Sequence, residues 1–307
     1  MRIAFGAPVS GAWAGPENIA TFAERAERLG YHSLWTFSRL VAPADEEKVA
    51  PVYRRVLDPV ASLAYAAAHT SRIRLGVAVV NLPFVSPAFL AKQASTLDVL
   101  SGGRLDLGLG TGWSEDEFTV SGVSTARRGA RAEEYLAVLH TLWVDEVSGF
   151  DGEFYTVPPT RMAPKPVQRP GPPVLLGGSA PAALERAGRL AAGWISRSAT
   201  DLSRIREEIA VVHAAADKAG RDPDDLRIVC RGVVRFGAEV IGSGGHRVRL
   251  SGSHDQILED AAWLAEQGVT ELFYDLNWDP LIGSPEADPD AATARAEEIL
   301  EALAPGD

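Results

Sequence analysis

The stretch "PVLLGGSAP" (173–181) ends an apolar run in two glycines and a serine, and a proline then opens a helical segment. N–H groups left exposed in such a turn, with the positive end of a helix dipole behind them, attract an anion such as a phosphate. Gly177 and Gly178 would let that ligand approach the main chain closely, and Ser179 adds a hydroxyl. The same residues also suit an ordinary tight strand-to-helix turn with a serine cap. No Gly-Lys-Ser/Thr follows to make a P-loop. A second glycine-rich strand end, "GLGTGW" (108–113), brings Gly110, Thr111, Gly112 and Trp113 to a turn, although glycine also serves plain packing inside a barrel.

Other chemistries find less support. The six histidines (32, 69, 140, 213, 246 and 254) show no HxxxH or HxH spacing, so no metal site is expected. There is no G-x-S-x-G elbow for a serine hydrolase. Glu115, Asp116 and Glu117 read as the charged first turn of a helix rather than an acid/base pair. The lone Cys230, inside "LRIVCRGVVRFG", reads as a buried strand thiol and leaves no partner for an intramolecular disulfide. Trp13, Trp113 and Trp278 either wall a planar ligand or simply pack.

These residues need elements to position them. Eight short apolar runs alternate with helical segments: 2–9, 33–38, 74–81, 104–112, 173–178, 193–197, 227–237 and 271–277. The runs are continuously apolar, as when both faces of a parallel sheet are covered. Helical period is clear in "PENIATFAERAERLG", where Ile19, Phe22, Ala23 and Ala26 form one stripe. Eight βα units in 307 residues predict an α/β fold, a single (β/α)8 barrel over 1–307. A doubly wound sheet is the alternative, but "FGAPVSGAWAG" fits G-x-G-x-x-G poorly. Two excursions interrupt the alternation: the Pro/Gly-rich 145–172 after the fourth strand, and 238–252, a small hairpin after the seventh.

In a barrel the site lies at the C-terminal ends of the strands. That selects Ser38 and Arg39 after strand 2, Asn81 after strand 3, and Thr111 to Trp113 after strand 4. It also selects Gly177 to Ala180, Ser196 to Ser198, Arg235 on strand 7, and Asn277 and Trp278 after strand 8. The net charge of -11 argues against a surface built for nucleic acid. With no apolar run of membrane-spanning length and no secretory signal, no membrane partner and a cytoplasmic location are expected.

Residues 71–113, "SRIRLGVAVVNLPFVSPAFLAKQASTLDVLSGGRLDLGLGTGW", together with "LLGGSAPAALERAGRLAAGWI", resemble the bacterial luciferase-like superfamily and look most like its F420-dependent branch. The resemblance runs from about residue 2 to residue 300. It implies a (β/α)8 barrel with F420, or alternatively FMN, across the mouth. The cofactor phosphate would rest on Gly177, Gly178 and Ser179 and on Ser196 and Arg197 after strand 6. A cis peptide at Ala78–Val79 would back the ring, with Asn81 and Gly110 to Trp113 lining ring or substrate.

Ser38, Arg39 and Asn81 would stand at the reacting end. Relatives often carry a histidine acid/base where "FSRL" places Arg39, and arginine keeps its proton at neutral pH. Arg39 would instead pair with an anion or a polarised carbonyl. The resemblance implies a homodimer acting on a small molecule by hydride transfer at the deazaflavin C5. The alternatives are an FMNH2-dependent monooxygenase fed by a flavin reductase, or a barrel that binds the cofactor without catalysis.

Overall fold

The computed structural model describes residues 1–306. All eight apolar runs form parallel strands: β1 (Arg2–Gly6), β2 (Ser33–Thr36), β3 (Arg74–Asn81), β4 (Leu105–Gly110), β5 (Val174–Gly177), β6 (Gly193–Ile195), β7 (Arg227–Val233) and β8 (Glu271–Asp275). They close in the order β1-β8-β7-β6-β5-β4-β3-β2, which settles the fold as a (β/α)8 barrel and removes the doubly wound alternative. Nine helices lie among the described residues: α1 (Pro16–Arg28), α2 (Pro59–Ala68), α3 (Pro87–Leu100), α4 (Glu115–Val120), α5 (Arg128–Val144), α6 (Pro181–Leu190), α7 (Ile205–Lys218), α8 (His254–Glu266) and α9 (Pro289–Ala302). The stripe of Ile19, Phe22, Ala23 and Ala26 is buried against the sheet, as its spacing requires. None of these helices is long and apolar enough to cross a membrane.

The barrel interior is layered. Trp35 and Phe273 stack at 5.5 Å between centroids, and a Cβ on Gly76 would come within 2.4 Å of the Trp35 ring. Below them, at the N-terminal end of the strands, lies a floor of charge. Asp106 accepts from Arg74 (Nε 2.8 Å, Nη2 2.6 Å) and from Arg227 (Nη1 2.6 Å, Nη2 3.1 Å). Arg227 also reaches Glu271 at 2.8 Å, and Glu271 accepts from the Ser33 hydroxyl and the Trp35 indole. Burial pushes the Asp106 carboxyl up, but the two guanidinium groups outweigh it and hold the group below its ordinary range.

Three details correct the sequence reading. β7 stops at Val233, so Arg235 lies beyond the strand, where Arg235–Phe236 pairs in parallel with Ser251–Gly252. The excursion 145–172 carries an antiparallel hairpin, Ser148–Asp151 with Thr156–Thr160. Its half-exposed residues and paired prolines leave no periodic signal. This segment follows a helix, which has already returned the chain to the N-terminal side of the barrel. Its last part accordingly joins the floor, where Gln168 donates to Asp98 and to the Leu105 carbonyl. The second excursion does form a small hairpin, bridged at Ile241 and Arg247.

Candidate functional site

A cleft of about 520 Å³ opens at the C-terminal ends of the strands. Ser38, Arg39, Ala78, Val79, Asn81, Gly110, Thr111, Gly112, Trp113, Gly177, Gly178, Ser179, Ser196 and Arg197 all line it. Sequence positions up to about 160 apart thus meet in one cavity because each lies at or just after the end of a barrel strand.

One end of the cleft is the turn after β5. The Trp194 indole donates to the Gly178 carbonyl at 2.8 Å. In a trans peptide this turns the Ser179 N–H the other way, off the barrel wall. Gly178 has φ +135°, and a Cβ there would lie 2.7 Å from the Cβ of Ala183. The serine-cap alternative does not hold: the N-cap of α6 is Ala180, and no side chain caps the helix. The first-turn amides therefore have no side-chain acceptor beside the cleft. That arrangement suits an anionic group arriving from solvent.

The floor of the cleft is the end of β3. The Ala78–Val79 bond is cis, the position that the family resemblance implied. The Ser38 hydroxyl donates to the Val79 carbonyl at 2.6 Å, and Arg231 Nη1 donates to the Ala78 carbonyl at 3.2 Å. Arg231 is itself held by Asp275 (Nε to Oδ2, 2.7 Å) and lies 4.7 Å over the Phe37 ring. Glycine at 110 keeps this floor open, since a Cβ there would sit 2.6 Å from Val79 Cγ2 and 3.0 Å from Asn81 Oδ1.

The far wall is aromatic. Arg39 is sandwiched between Tyr53 (5.0 Å) and Trp113 (4.7 Å), a cation between two π faces. Its side chain is 5% exposed and stands 3.6 Å from the carboxylate of Glu117, which is 1% exposed. Arg39 Nη2 donates to Ser114, and Glu117 accepts from the Leu40 amide at 2.7 Å. Tyr53 also meets Trp278 edge-on at 5.3 Å. The wall is therefore Trp113, Tyr53 and Trp278. Trp13 is buried behind it, donating to Asn277, whose own amide is spent on Ala7 and Asp275. Trp113 remains 64% exposed at the rim.

Sequence reasoning passed over Tyr53 and Arg231, and read Glu117 only as part of a charged helical turn. Tyr53 ends a 3-10 turn in a long connection without period, so nothing marked it. Arg231 carried a usable signal, a cation inside the apolar run "IVCRGVV", because charge is buried only when it is paired. The neighbouring Cys230 thiol is fully buried, and burial pushes it up to about 12, so it plays no part at neutral pH.

A search by family model matches residues 4–239 to the luciferase-like monooxygenase family. An uncharacterised Mycobacterium tuberculosis protein is 33% identical over 298 residues, 93% of each chain. The F420-dependent glucose-6-phosphate dehydrogenase of Microbacterium testaceum is 29% identical over 74% of this chain and 66% of its own. Among solved structures, the monooxygenase RslO1 of Streptomyces bottropensis superposes with a TM-score of 0.78 at 22% identity, covering 99% of this chain and 98% of that one. Barrel, mouth cleft and family model agree, and the chain belongs to the luciferase-like monooxygenase family.

Proposed function

We propose that the protein is an F420-dependent oxidoreductase that reduces an activated C=C or C=N bond of a small organic molecule. The observation that carries this reading is the set of ionisable groups in the cleft. They are the arginines 39, 128, 197 and 231, with Tyr53 and the carboxylate of Glu117. Glu117 is engaged by Arg39 and by the Leu40 amide, and no histidine, lysine, cysteine or aspartate lines the cleft. When bound, the deazaflavin supplies a hydride at C5. Polarised C=C and C=N bonds accept hydride and take their proton from water, whereas alcohol oxidation or oxygen insertion calls for a placed acid or base.

The chain's own residues position and exclude. The turn at 177–179 and the uncapped start of α6 receive the phosphate, with Ser196 and Arg197 beside it. Ala78, Val79 and Gly110 support the ring, while Trp113, Tyr53 and Trp278 shed water from the reacting face. Arg39 holds that wall upright. Its replacement by alanine leaves Glu117 buried without its cation and Trp113 without its support. Arg39→Ala is expected to raise the substrate KM at least tenfold while F420 affinity changes less than threefold. Steady-state kinetics beside a cofactor titration measures both, and a cofactor affinity that falls as far as KM rises would move Arg39 to the phosphate end.

Titration with F420 and with FMN, followed by tryptophan quenching, tests the cofactor. F420 is expected to bind at least tenfold more tightly than FMN, with much of the quenching lost in Trp113→Phe. Preferential FMNH2 binding with oxygen-dependent product formation would overturn the assignment. So would tight F420 binding without turnover on a panel of enones, enoates and imines, which is the behaviour of a non-catalytic carrier.

A further inference from the structure

A second cleft, about 760 Å³, lies between the loop after β6 and the hairpin after β7, and it shares Ser198 and Arg231 with the mouth cleft. In a chain of net charge -11 its lining is unusually cationic: Arg231, Arg235, Arg247 and Arg249 all contribute. Arg231 is matched by Asp275. Arg247 and Arg249 share one buried carboxylate, Asp260, which also accepts from the Leu250 amide at 2.8 Å. Two guanidinium groups on one carboxylate leave one positive charge in excess.

Arg235 adds a second. It is half-buried, it donates to the Val234 carbonyl at 3.2 Å, and no carboxylate lies within 4.0 Å among the described residues. The two carboxylates that act on it from further away, Asp279 and Asp275, are already bound to Arg295 and Arg231. Burial accordingly pushes the Arg235 guanidinium down from its ordinary value. Asp201, the one acidic lining residue, caps the 3-10 turn at 202–204 and accepts from Ser203; its charge offsets one of these two, so the lining keeps one net positive charge.

We propose that this side cleft binds a carboxylate or phosphate group of a ligand whose reacting part lies in the mouth cleft, with Arg235 as its principal contact. The charge in excess supplies the attraction, and the shared Ser198 and Arg231 make the two cavities continuous. The proposal extends the oxidoreductase reading by giving the ligand an anionic arm. The arm belongs either to the substrate or to the cofactor.

Inorganic pyrophosphate, titrated calorimetrically into cofactor-free protein, is the probe. Charge-assisted hydrogen bonds are the strong ones, so Arg235→Gln is expected to weaken pyrophosphate at least tenfold. Arg235→Lys should stay within about threefold of the parent. The proposal is overturned if pyrophosphate does not bind or if Arg235→Gln binds it as the parent does. Circular dichroism of each variant confirms that losses are not unfolding.

F420 titration of Arg235→Gln then assigns the arm. Undiminished cofactor affinity gives it to the substrate, a parallel loss gives it to the cofactor, and either supports an anion site. Because the pyrophosphate arm contains no cofactor, a failed F420 assignment and a failed anion site produce different results.

Discussion

Gly178→Val is expected to bind the cofactor at least a hundredfold more weakly than the parent protein while remaining folded. At φ +135° any side chain is strained, and the first added carbon already lies 2.7 Å from Ala183. The turn must therefore shift, and with it the Ser179 N–H that the Trp194–Gly178 hydrogen bond orients. A stability loss of about 1–3 kcal/mol accompanies the change, tolerable in a domain of this size. Gly177→Ala separates the two effects, because its Cβ meets only ordinary to tight contacts, the nearest being Val79 Cγ1 at 3.2 Å, and its φ is not positive. It should keep nearly full stability and lose less affinity. Isothermal titration and thermal unfolding on the same samples check both. A folded Gly178→Val protein with parental affinity would remove the phosphate seat from the turn.

The second large effect lies at the opposite end of the barrel and concerns stability. Asp106→Asn leaves Arg74 and Arg227 facing a neutral amide in a buried layer. Breaking one side of such a network costs about 3–5 kcal/mol. A fall in Tm on the order of 10 °C follows for a domain of this length. The sign with pH is fixed by the depressed native pKa of Asp106. Its contribution is complete above the ordinary carboxylate range, near 4, and is lost only as pH falls through the lower native value. The gap between parent and variant should stay constant from pH 7 to about 5 and narrow in stronger acid. Denaturant melts at several pH values read it directly, and a gap that widens below pH 4 would contradict the assigned shift. Cofactor affinity per folded molecule should not change.

The barrel was legible because parallel strands are buried on both faces and so appear as unbroken apolar runs. "RLGVAVVN" and "RLDLGLGTG" declare themselves without any knowledge of their partners. The mouth residues were legible for a related reason: once strand ends are known, the barrel itself says which residues gather there. All fourteen candidates do gather in one cleft.

What stayed hidden depends on distances across the fold. Glu117 was read as part of a charged helical turn, which it is, but its ion pair with Arg39 joins residues 78 positions apart in sequence. Tyr53 sits in a connection where no period operates. The segment 145–172 showed only as a Pro/Gly-rich excursion; because it comes after a helix it lies outside both clefts and ends at the floor.

The separation of the buried ionic floor from the cleft has a consequence for descent with modification. A buried ionic layer of Asp106, Arg74, Arg227 and Glu271 lies at one pole, and the cleft is lined by strand ends and loops at the other. Substitutions in the hairpin after β7 or in the connection holding Tyr53 can accumulate without disturbing the layer that keeps the barrel closed. A gene of this kind is free to vary at the mouth of the barrel while its product stays folded.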